Sequence, residues 1–238
     1  MRINKYLAEC GVASRRAADE MIKAGRVSVN GKIMTEPGYD VVIDNDTVKV
    51  DGRKVKLITR YTYMMLNKPK GCICSASDEL HRKTVYDYLR TNKKLDCVGR
   101  LDYDSEGLLL LTNDGDLLYR LTHPAFEVPK TYIVKIEGTL SDDERTRWSE
   151  GLTLGDGTRT APASVNVLGQ EGNLTRLEVT LREGKNREIR RMAEALGKTV
   201  TFLKRTAIGD LKLGGLGRGA SRYLTGKEVS YLKNLTKD

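Results

Sequence analysis

Apolar positions in the first 25 residues recur at helical spacing. Ile3, Leu7 and Cys10 share a face and stop at Gly11, while Ala17, Ala18, Met21 and Ile22 line one side of a second segment that Ser14 can cap and Gly25 can end. The pattern predicts a helix pair. From Arg26 the period changes to that of a strand: Val27 and Val29 alternate with polar residues and run into Asn30-Gly31, a hairpin signal, and Val48 and Val50 repeat the pattern before Asp51-Gly52. Residues 57–62 read as a linker. A strand is expected over 63–66, leading into a loop that Pro69 and Gly71 punctuate. Four consecutive leucines, Leu108 to Leu111, require a buried core strand, after which Asn113-Asp114-Gly115 turns the chain. Further on, the spacing predicts a helix over 116–121 closed by His123-Pro124, a strand over 131–136, a polar helix over 142–150, a turn at 155–157 and a strand over 177–181. A last helix is expected from an Asn186 cap to Gly197. Ile189, Met192, Ala193 and Leu196 form its buried stripe, with Arg187, Arg190 and Arg191 on the opposite face.

With 238 residues, the elements suit one small and one medium domain. Hydrophobic content of 39% beside 31% charged residues is that of a globular chain. No apolar run approaches the roughly 20 residues of a membrane span. Residues 1–25 are studded with charges, so no signal peptide and a cytoplasmic location are expected. Cys72 and Cys74 are one residue apart, which is not zinc-knuckle spacing, and Cys10, Cys97, His81 and His123 complete no ligand set; free thiols and no metal site are expected. The net charge of +9 divides as +4 over residues 1–60, −3 over 61–181 and +8 over 182–238. Positive charge concentrated at both ends is the electrostatic footprint of a polyanionic partner.

Two stretches carry candidate chemistry. Asp102, Asp104 and Glu106 fall between Gly99 and Gly107, directly before the leucine strand. A carboxylate held beside a rigid element suits catalysis, because its geometry is fixed by the element. The other stretch runs from Glu183 to Met192. Three guanidinium groups at a helix start oppose the macrodipole's preference for acids there, so they require an anion, either phosphates or a catalytic carboxylate.

Residues 1–58 resemble the RNA-binding domain first named for ribosomal protein S-four, through Arg2-Ile3-Asn4-Lys5-Tyr6-Leu7, Ser14-Arg15-Arg16 and the stretch from Gly25 to Lys32. The resemblance implies that Arg15, Arg16, Lys23, Arg26 and Lys32 face RNA phosphates. Four motifs in order make the whole chain similar to bacterial ribosomal RNA pseudouridine synthases of the RsuA/RluB/RluE/RluF family, and most of all to its RluB group. These are Asn67-Lys68-Pro69-Lys70-Gly71, the run from Gly99 to Gly115, Lys130-Thr131-Tyr132, and Gly184 to Met192. Ser105 stands where the family usually has Thr, and Glu188 where it often has Gln.

What this resemblance implies is an α+β protein. A small N-terminal RNA-binding domain precedes a catalytic domain over 61–238, whose mixed, largely antiparallel sheet carries Asp102 in a central cleft. The implied reaction isomerises a uridine of ribosomal RNA, large-subunit RNA being favoured, to pseudouridine by a monomer with no cofactor, no metal and no membrane. Asp102 maps onto the nucleophile, attacking either the anomeric carbon or carbon 6 of the base. Arg190 maps onto that aspartate's partner, and Tyr132 onto the tyrosine that lies against the base. Lys68, Arg187 and Arg191 are candidates for support or phosphate contact, Arg100 for filling the gap a flipped base leaves, and Leu203 for packing on the pocket. Two rivals are a non-catalytic RNA-binding or ribosome-assembly protein, which has no use for Asp102 opposite Arg190, and a hydrolase pairing Asp102 with Asp104 or Glu106. Carboxylates two apart on one strand are too close to bracket a sugar unaided.

Overall fold

The expected helix pair forms as α1 (Ile3–Glu9) and α2 (Arg15–Lys23), with the Ser14 hydroxyl accepting the Ala17 N–H at 3.2 Å. The computed structural model describes residues 1–75 and 78–236 and separates into two compact units, 1–62 with 113–115, and 63–112 with 116–238. In the first unit the helices cover a four-stranded antiparallel sheet of order β2-β1-β3-β4, made of β1 (Val27–Val29), β2 (Lys32–Met34), β3 (Val48–Val50) and β4 (Arg53–Lys54). Asn30 and Gly31 both take positive φ, as a two-residue hairpin turn between twisted strands demands. Ile3, Leu7, Ala18 and Ile22 bury against Val27, Val29 and Val48, so the helical and strand periods read from sequence meet in one core.

The second unit is built on a nine-stranded sheet. Its main order is β13-β5-β7-β11-β8-β10-β9, with β6 also pairing β7 and β12 also pairing β11. The strands are β5 (Tyr63–Lys68), β6 (Asp96–Val98), β7 (Glu106–Thr112), β8 (Lys130–Glu137), β9 (Ser164–Glu171), β10 (Leu174–Leu181), β11 (Val200–Ile208), β12 (Leu211–Lys212) and β13 (Ser221–Tyr223). Among the described residues every strand pairing of this sheet is antiparallel except β7 with β11, so the sheet is mixed and largely antiparallel. The helices of this unit are α3 (Gly115–Thr122), α4 (Asp142–Glu150), α5 (Glu188–Ala195) and α6 (Gly226–Leu235). Among the described residues, no helix is long and apolar enough to cross a membrane.

The four leucines of β7 show why the run is unbroken. Leu108 and Leu110 enter a core with Met65, Leu117 and Ile208, whereas Leu109 and Leu111 enter another with Met64, Leu66 and Leu101. A strand apolar on both sides is covered on both sides. Burying four leucines contributes about 6–12 kcal/mol before the entropy of ordering the chain is deducted, which makes β7 a stiff support for the turn that precedes it. Gly107 permits the single parallel junction: at its φ of +107°, a Cβ would run into the Arg205 backbone of β11.

Several boundaries differ from the sequence reading. The first strand of this unit continues through Asn67 and Lys68, both buried, rather than ending at Leu66. Glu106 is not a loop carboxylate: it opens β7, is 3% exposed and pairs with Arg218 at 3.2 Å. Asn186 does not cap α5, because Arg187 occupies the position before the helix in a left-handed conformation (φ +48°). The apolar stripe of α5 does form, with Ile189, Met192 and Ala193 buried. Strands β6, β9, β11, β12 and β13 and helix α6 were not anticipated.

Candidate active site

A cavity of about 150 Å³ opens in the second unit, and its lining assembles segments remote in sequence. Arg100, Leu101, Asp102 and Ser105 come from the segment before β7, Lys130 and Tyr132 from β8, Leu181 from β10, Leu203 and Arg205 from β11, and Gly184 to Ile189 from the start of α5, Asn186 excepted. Both chemical stretches of the sequence therefore reach one cleft.

Asp102 begins a tight turn in which its carbonyl accepts the Ser105 N–H at 3.1 Å. Lys68 pins that turn from behind. Its ammonium donates to the carbonyls of Asp102 (2.8 Å), Ser105 (2.9 Å) and Pro69 (3.2 Å), and the residue is fully buried. Burial depresses its pKa below the ordinary lysine value. Lys68, a candidate for support or phosphate contact, is buried away from any phosphate; the extension of β5 points it inward, where it neutralises backbone dipoles. Lys68→Met should leave those carbonyls buried without a donor, at a cost on the order of 2–4 kcal/mol. At about 2–4 °C per kcal/mol for a chain of this size, thermal denaturation should show a midpoint lowered by roughly 4–16 °C; an unchanged midpoint would show that the turn holds itself.

The ion pair expected between Arg190 and Asp102 does not form. Arg190 reaches Asp104 instead, at 3.0 Å, and donates to the Asp104 carbonyl and the Ser105 hydroxyl at 3.4 Å each and to the Val200 carbonyl at 3.2 Å. Arg187 takes the place by the candidate nucleophile, its Nη1 lying 3.6 Å from Asp102 Oδ2 and 3.6 Å from Asp104 Oδ1. The physical reason is local. The left-handed backbone takes Arg187 off the helix face it was expected to share with Arg190, while Arg190, within the first turn of α5, reaches the turn beside Asp102. Arg191 pairs with Asp156 at 2.6 Å and does not line the cavity. The anion that the three arginines required is therefore, for each, an aspartate of this chain.

Tyr132 and Leu203 line the cavity, and Arg100, exposed, lies on its wall. Asp104 does not line it, and both its oxygens are engaged by arginines; with Glu106 buried against Arg218, neither is placed to serve as the second carboxylate of a hydrolase. Among the lining residues given no role by the sequence are three with a charged side chain set into the wall: Lys130, Glu188 and Arg205. Burial brings Lys130 down to about 8, with the Arg205 charge adding to the effect, and raises Glu188 to about 8, with Glu183 adding to it. Lys130 and Glu188 lay inside motifs, but Arg205 is on a strand that the pattern did not reveal. In the first unit Arg15, Arg16, Lys23, Arg26 and Lys32 are all exposed; Arg26 is forked onto Asp51 (2.6 and 3.0 Å) and Lys23 pairs with Glu20.

What the cavity offers is a carboxylate on a pinned turn, a guanidinium beside it and an aromatic ring in the same lining. Comparison with known proteins gives this arrangement a family. The family model described as RNA pseudouridylate synthase matches residues 62–195, and that of the S4 domain matches residues 1–48. The ribosomal large subunit pseudouridine synthase B of Bacillus subtilis is 42% identical, with 98% of this chain and 96% of that protein covered. An uncharacterized RNA pseudouridine synthase of Aquifex aeolicus is 41% identical over 98% of this chain and 93% of its own length. A crystal structure of a pseudouridylate synthase superposes with a TM-score of 0.72 at 33% identity, covering 98% of this chain and 99% of that one. The chain belongs to the RNA pseudouridylate synthase family, and is an isomerase of uridine in RNA that carries an S4 domain at its N-terminal end.

Proposed function

We propose that the substrate is ribosomal RNA of the large subunit and that Asp102 is the nucleophile that detaches and re-attaches the uracil of one uridine. The observation that carries this reading is the placement of Asp102 in the cavity lining, on a turn that Lys68 and Arg190 hold by its backbone. That leaves the Asp102 carboxylate with Arg187 as its ion-pair partner and its backbone fixed for attack. Large-subunit RNA is favoured by the 42% identity, over nearly the full length of both chains, to the Bacillus subtilis protein.

A uridine stacked within RNA cannot reach a walled cavity, so the target nucleotide is extruded, at a cost of a few kcal/mol. Tyr132 lies against the extruded base and Leu203 packs on it, while Arg100 is the side chain available to fill the gap. Arg187 holds the Asp102 carboxylate and Arg190 sets the turn's geometry. Arg15, Arg16, Lys23, Arg26 and Lys32 of the S4 domain contact phosphates in this reading, which its positive charge supports. Pseudouridine mapping of ribosomal RNA from cells lacking this protein should show loss of modification at a large-subunit site and nowhere in the small subunit. Loss confined to the small subunit, or none, would overturn the substrate assignment.

A further inference from the structure

Beside the cavity three aromatic rings meet at the surface, apart from the groups that carry the reaction. The ring centroids of Tyr119 and His123 are 4.8 Å apart with their planes inclined by only 39°, and Phe126 stands edge-on to both, at 6.0 and 6.3 Å. Phe126 is half-buried against the core of Leu117, Leu121 and Val128, so it props the other two rings from within. The His123 ring is fixed by its Nδ1, which accepts the Ala125 N–H at 3.3 Å. Tyr119 is nevertheless 53% exposed, and His123 is exposed too. Aromatic rings contribute most when covered, and two near-parallel ones held open to solvent fit a further flat ring. Position says which ring. Thr122 lines the cavity with Gly99, whose Cβ would lie 3.8 Å from Thr122 Cγ2. Around α3, Thr122, Tyr119 and Arg120 succeed one another, and His123 follows Tyr119 by about one turn. A path from the cavity mouth therefore crosses the rings and ends at a cation. Arg120, and Arg100 on the cavity wall, are exposed and among the described residues make no ion pair, unlike the arginines that hold the Asp102 turn. Free cations on either side of an aromatic surface match the phosphates on either side of a base.

We propose that the surface formed by Tyr119 and His123 stacks the base of one nucleotide adjoining the target uridine, with Arg120 on a phosphate beyond it. This rests on the cavity being the uridine site. Extruding the uridine takes a stacking partner from each of its neighbours, and a neighbour that turns onto the two rings regains one. The spacing suits a single step along the RNA. Thr122 in the cavity lining and His123 in the ring surface are consecutive residues, about 3.8 Å apart at Cα, and consecutive stacked bases are about 3.4 Å apart. Stacking reads no sequence, because every base has a π-face. The rings therefore add affinity and hold the RNA in register with the cavity, while leaving the choice of neighbouring base open.

The test uses full-length Asp102→Asn protein, so that binding is read without turnover, and a synthetic stem-loop RNA carrying the uridine found by the mapping above with its natural neighbours. Making each neighbour abasic in turn should weaken binding at one of the two positions by about five- to a hundredfold, the scale of one base stacked on an aromatic ring. Adding Tyr119→Ala should weaken binding of the intact RNA by a similar factor and leave intact and abasic RNA within about twofold of each other, whereas Tyr119→Trp should keep the full difference. The fluorescence of 2-aminopurine at that position should be quenched on binding to the parent and to Tyr119→Trp, but not to Tyr119→Ala. Arg120→Gln should lower the slope of log affinity against log salt by about 0.7, one single-strand phosphate contact. No abasic penalty at either neighbour, or an equal penalty with and without Tyr119, would overturn the stacking surface, and an unchanged slope would remove Arg120 from it. If Tyr119→Ala fails to fold, His123→Ala takes its place, and an undiminished abasic penalty in that variant overturns the proposal. Equal binding of the intact stem-loop and one abasic at the target uridine itself would instead overturn the cavity as the uridine site.

Discussion

Asp102→Asn should abolish release of the hydrogen at carbon 5 of the target uridine, with a loss on the order of 10⁴-fold or more, the scale of removing a nucleophile. Folding and RNA affinity should be nearly unchanged, and the structure supplies the reason. The turn is held through Asp102's carbonyl, by Lys68 at 2.8 Å and the Ser105 N–H at 3.1 Å, while the carboxylate itself, among the described residues, reaches only Arg187, at 3.6 Å. An amide keeps the shape and the backbone contacts but has no negative charge with which to attack. Hydrogen release by the variant at more than a few per cent of the parent rate would remove Asp102 from the chemistry.

The next largest effect is expected at Arg190, and it should differ in kind from that at Arg187. Arg190→Lys keeps the charge but cannot meet the Asp104 carboxylate, the Asp104 carbonyl, the Ser105 hydroxyl and the Val200 carbonyl together, because one ammonium does not have the planar fork. The turn should loosen. Misplacing a reacting group by about 1 Å can cost 10²-fold, so kcat should fall by roughly that factor with RNA affinity little changed. Arg187→Lys keeps a cation near Asp102 on a half-exposed stem and should retain most activity, whereas Arg187→Gln should lose about tenfold in kcat, less than the Arg190 change because no backbone geometry depends on it. Single-turnover rates and separate RNA-binding measurements distinguish the two. Equal losses in Arg187→Lys and Arg190→Lys would mean that both arginines act through charge alone.

How far the sequence carries depends on whether a signal is local. The helix pair, the Asn30-Gly31 hairpin, the β7 leucine run and the apolar stripe of α5 were legible because each is written in a few adjacent residues whose period or turn chemistry allows one reading. Asp102 and Tyr132 as site candidates came from ordered motifs, and both line the cavity. Strand β11 escaped because Lys204, Arg205 and Thr206 interrupt its apolar pattern, and that interruption is where the buried Arg205 enters the cavity wall.

What only the tertiary structure decided is which charge meets which. Helical spacing set Arg187, Arg190 and Arg191 on one face, but a single left-handed residue before α5 separated the first from the others and reassigned the partner of Asp102. Lys68 was a candidate for support or phosphate contact, and two further residues of β5 turned it into the core beneath the Asp102 turn. By itself the sequence determined the family resemblance, the elements written in local period or turn chemistry, and the residue types of the site motifs. The ion pairs of the site and its buried donors were left open because they join residues from 34 to 112 positions apart, and their strength depends on distances of a few ångström and on burial, which no local pattern encodes.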